Sequence, residues 1–522
     1  MTGTRRALER SLLNILLAAG AAANLSVFGG IVYVYLTSPT RRFSSPGSAA
    51  LWLGATLGLG IFFLISLTFS RRTKLRLLIG SLGVTLVLYA VDGYFEFVRD
   101  DLPSRVAIDD ELPHHKLAIV KFARRVGIGF DTRNRAEVVA ALRLREPDLV
   151  ISVTPIEFLQ SDRSGNLKSV LEVNGREVVA LGRGANQNIV WCNESGNYVT
   201  FRTDERGFRN PGGVWNRRVL DVAAVGNSFA MGGCVPVGRG FIELVWNRYP
   251  ATLNLSMGGH GPLSQLAALK EFLPAFRPAI VFWIYEEDDD LLALRREMNS
   301  AVLRRYLEER DFRQGLAMMQ PYIDRAMREY AERKLVRELS ESEGGAKLNG
   351  SVEGQRFSRW LKLTSSREAL SLNVWESEQG NEAVGSSELV SLRRILAEAK
   401  RVTSRWEGRL YFVYLPSYRR YTGNLSPSAK AREAILELVS RLELPVIDMH
   451  EVFRAEKDPL ALFAFRHFPH YNEYGHELVA RQLIGTLSSA NGLGNRVDQR
   501  GLCDKPQGCQ DSGRPGGGRV AR

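Results

Sequence analysis

Histidine and cysteine are scarce in this chain, whose 522 residues include seven histidines and four cysteines. His260, His467 and His476 lack the spacing of ligands in a transition-metal site. We therefore predict no metal and no cofactor, so that any chemistry would be carried by side chains alone.

A basic stripe interleaved with aromatic residues is also missing, although the formal net charge is +12 and the pI is near 9.6. No known DNA- or RNA-binding motif is present, so we predict no nucleic-acid partner. Arginines that flank membrane segments and fill the tail account for the charge. The 45% hydrophobic and 24% charged content excludes a disordered protein, and the length favours two or more folding units.

Charged residues are absent from long N-terminal stretches, beginning with Ser11 to Thr40. A membrane-spanning helix needs about 20 apolar residues. We predict three such helices at about 12–36, 49–69 and 77–98, so that residues 1–100 form a membrane anchor. The third is the least regular, since Asp92 and Glu96 lie in its last turns. Several spans in succession argue against a cleaved signal peptide.

Basic residues precede the first span and separate the second from the third, whereas acidic residues follow the third. The positive-inside rule then places the N-terminus in the cytoplasm and everything after residue 100 outside. If the third segment does not cross, the main domain is cytoplasmic instead. The basic residues are Arg5, Arg6, Arg10, Arg71, Arg72, Lys74 and Arg76, and the acidic ones are Asp100, Asp101, Asp109, Asp110 and Glu111.

The even cysteine count favours the outside location. Cys192 and Cys234 flank a predicted strand, and Cys503 and Cys509 lie close together in the tail. Two disulfides would fit an oxidising compartment, and buried free thiols are the alternative.

Residues 101–218 predict a small, β-rich α/β lead-in. Asp131-Thr132 is a candidate cap for a helix over 136–143. The pair Asn174-Gly175 predicts a hairpin. We also predict a turn at residues 193–196 and a strand at residues 198–201. None of these segments shows obvious chemistry.

A nearly continuous apolar run, Val219–Val225, stops at Gly226-Asn227-Ser228. Such a run predicts a strand covered on both faces. Open parallel sheets bind ligands at the carboxyl ends of their strands, so Ser228 is a candidate nucleophile. Four more apolar runs alternate with helical patterns, which predicts a parallel α/β sheet over 219–488. These runs are 252–256, 279–285, 409–415 and 444–448.

Two further segments complete the predicted organisation. Residues 295–400 form a helical insertion, read either as a solvated cap or as a lid or partner-binding surface, with a loop at Ser342–Gly345. Residues 489–522 are rich in Gly, Arg and Pro, and this composition predicts a disordered tail.

Four sequence blocks, in order, resemble the SGNH (GDSL-type) hydrolase superfamily over roughly residues 200–486. They are Gly226-Asn227-Ser228-Phe229, Gly259 downstream of Asn254, the acidic Glu287-Asp288-Asp289, and His470 before a glycine-containing helix. Three further motifs are similar to those of a membrane-anchored bacterial subgroup of this superfamily. They are DERGFRNP before the serine strand, GPL after the second block, and YLP at the end of a later strand. The resemblance implies a flavodoxin-like, three-layer α/β domain with a parallel sheet.

The resemblance also implies site residues. Ser228 would be the nucleophile and His470 the general base, with the backbone N–H groups of Ser228 and Gly259 binding the oxyanion. The family asparagine position holds Asp288 or Asp289, and an ionised carboxylate there would repel the oxyanion unless its pKa is raised. The family aspartate before the histidine is also missing. Either Ser228 and His470 act as a dyad, or Asp448 orients His470.

From this resemblance and the predicted membrane spans we expect a bacterial inner-membrane, multi-pass serine esterase with a periplasmic catalytic domain. It would remove O-acyl groups, most simply acetyl, from a cell-envelope glycan or lipid. An O-acyltransferase that uses the same residues is one alternative. A non-enzymatic scaffold subunit with envelope-assembly partners is another.

Overall fold

The chain begins with three helices, α1 (Thr2–Thr37), α2 (Pro46–Ser66) and α3 (Arg71–Gly93). Ser11–Tyr33 and Arg71–Gly93 are long and apolar enough to cross a membrane, and Ala50–Ser66 is a shorter apolar helix. These helices support membrane association, and the predicted end of the third span at 95–98 lies outside the described residues. The computed structural model describes residues 2–37, 46–94, 123, 127–162, 164–348, 360–361, 363, 385–422, 425–466 and 468–489.

The main domain contains a five-stranded sheet in which each strand is parallel to its neighbours, in the order β9-β8-β10-β11-β12. Doubly wound, flavodoxin-like sheets have this order. Each predicted apolar run supplies one strand, and 409–415 has the predicted limits. The strands are β8 (Val222–Val225), β9 (Thr252–Asn254), β10 (Ile280–Glu286), β11 (Arg409–Leu415) and β12 (Val446–Asp448).

Alternate residues of the central strands enter two different cores. On β10, Val281, Trp283 and Tyr285 belong to one hydrophobic cluster, and Phe282 and Ile284 belong to the other. Side chains of successive strand residues point to opposite faces, so apolar residues at every position require cover on both sides. This explains why the runs are continuous rather than alternating.

Helices cover both faces of the sheet and produce a mixed α/β fold consistent with three layers. Residues of α7, α11 and α13 belong to the first core, and residues of α6, α14 and α15 belong to the second. The helices of this part of the chain are α4 (Arg135–Leu142), α5 (Ser228–Met231), α6 (Phe241–Arg248), α7 (Pro262–Phe276), α8 (Asp290–Glu297), α9 (Ala301–Glu308), α10 (Leu316–Leu348), α11 (Ser386–Ser404), α12 (Pro427–Lys430), α13 (Arg432–Arg441), α14 (Met449–Phe453) and α15 (Glu473–Ser489).

The lead-in forms small sheets that share the first core of the main domain. Strand β1 pairs parallel with β6, which pairs antiparallel with β7. The hairpin predicted at Asn174-Gly175 is confirmed as β4–β5. The strands are β1 (Leu149–Ile151), β2 (Leu159–Ser161), β3 (Leu167–Ser169), β4 (Glu172–Val173), β5 (Arg176–Glu177), β6 (Asn188–Val190) and β7 (Thr200–Arg202), and short 3₁₀ turns occupy Pro155–Phe158, Val214–Asn216, Tyr418–Tyr421, Pro459–Leu462 and Ala464–Arg466.

Two local predictions are wrong. Asn134, not Asp131-Thr132, caps the first lead-in helix, because its side chain accepts the Glu137 N–H while Glu137 accepts the Asn134 N–H. The loop predicted at Ser342–Gly345 is helical and belongs to α10. The predicted tail beyond Ser489 and the Cys503–Cys509 pair lie outside the described residues.

The segment Asp204–Pro211 fastens the lead-in to β9, the neighbour of the strand that ends before Ser228. Buried Asp204 accepts hydrogen bonds from the Asn210 and Trp215 side chains. Asn210 in turn bonds both the N–H and the carbonyl of Asn254 on β9. The segment that resembles a family approach sequence is therefore a structural clamp.

Arg209 in this segment forms a buried ion pair with Glu243, with Nε 2.9 Å from Oε1 and both side chains 3% exposed. It also donates to the carbonyls of Gly232 and Val235, just after Ser228.

We expect Arg209→Met to lower the free energy of unfolding by about 3–5 kcal/mol, because the Glu243 carboxylate would remain buried without its partner. Chemical denaturation of the variant measures this loss. The double variant Arg209→Met/Glu243→Met should recover much of it, and a double variant as unstable as the single one would contradict the ion-pair explanation.

Candidate active site

Ser228 begins α5, directly after β8 and the turn Gly226-Asn227. Gly226 has no room for a side chain, because a Cβ there would lie 2.8 Å from Ala230 and 2.9 Å from Ile284. The Asn227 side chain accepts the N–H of Phe229 and caps the short helix. This turn leaves Ser228 partly exposed at the carboxyl edge of the sheet, where a nucleophile can meet a ligand.

His470 reaches the same edge from the loop before α15. Its Nε2 lies 2.8 Å from the Ser228 Oγ, across 242 residues of sequence. The ring packs on Phe229, with 4.8 Å between ring centroids, and against the backbone of Gly233. The Gly233 N–H donates to the Ser228 carbonyl at 2.7 Å. The structure thus brings together the two residues predicted as nucleophile and base.

Glu194 supplies the carboxylate behind the histidine. Its Oε1 lies 2.7 Å from His470 Nδ1, and the Glu194 side chain is 4% exposed. The residue comes from the lead-in turn 193–196, which is tied down by an Asn193 Nδ2 bond to the Asp131 carbonyl and an Asp131 N–H bond to the Gly196 carbonyl. A carboxylate in this place fixes the ring and stabilises an imidazolium.

Asp448 does not lie behind His470, which corrects the prediction that it orients this ring. Its carboxylate pairs with Arg432 and accepts the N–H of His450, so it caps α14. The carboxylate behind His470 is instead that of Glu194, which the sequence resemblance did not reveal.

A disulfide joins the two walls of this site. Cys192 lies two residues before Glu194, Cys234 lies six residues after Ser228, and their sulfurs are bonded as predicted. The Cys234 Sγ is also 3.9 Å from His470 Nδ1. The bond therefore connects the turn that supplies the carboxylate to the loop that supports the histidine.

We expect Cys192→Ser/Cys234→Ser to lower the free energy of unfolding by about 2–4 kcal/mol, because the link closes a loop with a sequence separation of 42. Thermal unfolding with and without a reducing agent measures this. Reduction should destabilise the wild type and leave the serine variant unchanged. A wild type that is insensitive to complete, verified reduction would contradict the prediction.

Gly259 lies in the loop after β9, as the predicted oxyanion donor should. Its φ of +83° favours glycine, and a Cβ would meet Ile156 at 2.9 Å. The Met257 N–H donates to the Gly226 carbonyl, which holds this loop beside the serine turn. Asn254 reinforces the contact by donating from Nδ2 to the Ala230 carbonyl at 2.8 Å.

The acidic block after β10 is occupied by other contacts. Asp288 accepts a hydrogen bond from Ser426 and lies 3.8 Å from Arg419 Nε, and none of its described contacts involves Ser228 or Gly259. Desolvation raises the pKa of Asp288. Asp288 is therefore not placed as the predicted oxyanion donor.

Asp289, the next residue of this block, interacts electrostatically with His470. Desolvation raises the pKa of its carboxyl, and the proximity of His470 opposes part of that rise.

Glu194, Cys234 and His470 are close enough to surround a metal ion, with their ligand atoms within 4.8 Å of one another. The Cys234 sulfur, however, is in the disulfide and is not a thiolate ligand. The remaining atoms, Glu194 Oε1 and His470 Nδ1, already bond each other. The cluster fits a hydrogen-bonded triad better than a metal site.

A serine hydroxyl, an imidazole and a carboxylate that are hydrogen-bonded in this order form the catalytic triad of serine hydrolases.

No family model matches this chain, and no curated protein matches its sequence. Among solved structures, it is similar to a member of the lipolytic protein G-D-S-L family from Veillonella parvula, with 12% identity and a TM-score of 0.28. The alignment covers 52% of this chain and 100% of that one. At this level of similarity, the functional inference depends on the distances within the site.

Proposed function

We propose that this protein is a serine esterase that uses Ser228 as nucleophile, His470 as general base and Glu194 as the orienting carboxylate. The observation that carries the proposal is the continuous pair of contacts, 2.8 Å from Ser228 to His470 and 2.7 Å from His470 to Glu194. Both distances are within hydrogen-bond reach, which a nucleophile and its base require.

The reaction would proceed in two halves. Ser228 Oγ attacks the ester carbonyl while its proton moves to His470 Nε2, and the oxyanion is held by the N–H groups of Ser228 and Gly259. Collapse breaks the ester bond, and the departing alcohol takes the proton from His470. Water then attacks the acyl-serine by the same proton path, which releases a carboxylic acid and restores the serine.

The substrate we propose is an O-acylated, most simply O-acetylated, glycan or lipid of the cell envelope. Support comes from α1 and α3, which are long and apolar enough to hold the domain at a membrane. The Cys192–Cys234 disulfide favours an oxidising compartment, which in a bacterium is the periplasm.

The test is ester hydrolysis by the full chain in detergent, with aryl esters of increasing acyl length. Acetyl esters should be cleaved fastest. A folded protein that cleaves none of them would contradict the esterase assignment. Adding a polyol acceptor separates the transferase alternative: free acetate should remain the main product of an esterase, whereas acylated polyol would identify a transferase.

A further inference from the structure

Arg183 is a fully buried arginine in the wall between the lead-in and the Ser228 strand. Its side chain is 2% exposed, Nε donates to the Val153 carbonyl at 3.1 Å, and Nη1 lies 3.3 Å from the Met231 sulfur. Among the described residues, Nη2 has no hydrogen-bond partner and no carboxylate forms an ion pair with the guanidinium.

The described surroundings do not neutralise this charge. The guanidinium stacks on Trp191 at 4.3 Å from the ring centroid. Glu157, the acidic group that favours its charged form, is already held by Lys334 at 2.7 Å. Desolvation lowers the pKa of Arg183 to about 9, which still leaves it cationic at neutral pH. Desolvation lowers the pKa of the neighbouring His260 to about 3, and the charge of Arg183 makes a smaller contribution in the same direction. His260 is therefore neutral.

The unpartnered end of Arg183 lies beneath the proposed oxyanion loop. Nη2 is 3.8 Å from the position that a Cβ on Gly258 would occupy. Standard bond lengths then place Nη2 within about 8 Å of the Gly259 nitrogen. On its other side, Met231 is the last residue of the one-turn helix that starts at Ser228.

A buried cation without a counter-ion is costly to fold, and the catalytic step would create a negative charge close to it. We propose that Arg183 is a positioning residue whose charge, acting through the Gly258–Gly259 loop, stabilises the oxyanion formed on attack by Ser228. It would contribute the stabilisation that the acidic block after β10 does not supply. This inference rests on the proposed esterase function.

Three variants of the full chain test the inference, each compared with wild type in aryl acetate hydrolysis. Arg183→Met removes the charge and keeps an apolar chain, and Arg183→Lys keeps a charge. Arg135→Met is the matched control, since Arg135 faces the same Trp191 ring at 5.8 Å but is only half-buried.

We expect Arg183→Met to lower kcat by about 10- to 50-fold with little change in KM, because the charge acts on the transition state rather than on the substrate. Arg183→Lys should retain several-fold more activity than Arg183→Met, and Arg135→Met should stay within about twofold of wild type. The rate of Ser228 labelling by a fluorophosphonate should follow the same order.

Equal losses in folded Arg183→Met and Arg183→Lys would show a packing role and overturn the inference, as would an unchanged kcat in Arg183→Met. If the methionine variant does not fold, Arg183→Lys decides alone: substantial kcat supports the charge, and a folded but inactive lysine variant contradicts it. A wild type that neither hydrolyses esters nor accepts the label would refute the proposed function itself.

Discussion

Ser228→Ala is expected to lower ester hydrolysis by about 10⁴- to 10⁶-fold, which is the scale of losing the nucleophile of a serine triad. The reason is that Ser228 Oγ is the hydroxyl that lies 2.8 Å from His470 Nε2, and the substitution removes it. The measurement is kcat for an aryl acetate with the full chain in detergent. Because the missing atom is a partly exposed hydroxyl, the variant should fold as the wild type does.

Ser256→Ala is the matched control. Ser256 is a buried serine near the same edge of the sheet, and its Oγ has no hydrogen-bond partner among the described residues. Its variant should keep wild-type activity to within a few-fold. If Ser228→Ala retained activity while remaining folded, another residue would be the nucleophile.

The second large effect is expected at Glu194. Glu194→Gln should lower kcat by about 10³- to 10⁴-fold, because a neutral amide cannot stabilise the imidazolium and its NH2 group can donate to Nδ1, which favours the wrong tautomer of His470. Glutamine is nearly the same size as glutamate, so the variant tests charge and hydrogen bonding rather than packing. The readout is kcat together with thermal unfolding, which should change little.

Asp448→Asn is the decisive comparison for this prediction. The sequence leaves two options, a Ser228–His470 dyad or Asp448 as the orienting residue, whereas the structure places Asp448 in a cap and an ion pair with Arg432. We therefore expect Asp448→Asn to keep kcat within a few-fold and to lose only some stability. A large loss of activity at Asp448 and a small one at Glu194 would reverse the assignment.

The sheet could be predicted from the sequence because its signals are local. Each apolar run ends in glycine, proline or acidic residues, and the helices between runs have clear periodicity. Strand β8, which precedes Ser228, starts at Val222 rather than Val219. Its pairing with β9 and β10 begins at Val222, and Val219 is 44% exposed. The serine and histidine were also predictable, because their blocks follow one another in order.

The carboxylate of the site could not be predicted in the same way. Glu194 lies in a short turn that carries no catalytic motif, and its position depends on the lead-in packing against the main sheet. One signal was available: a Cys192–Cys234 link brings residue 194 near Ser228. The acidic block was misjudged for a related reason, since the partners of Asp288 come from Arg419 and Ser426, which are remote in sequence.

Covalent labelling tests the central claim most directly. The full chain in detergent is treated with a fluorophosphonate, and the modified peptide is identified by mass spectrometry. The triad predicts a single adduct on Ser228, formed much more slowly in His470→Ala and Glu194→Gln and absent from Ser228→Ala. A folded wild-type protein that takes up no label, or that is labelled at another residue, would contradict the account.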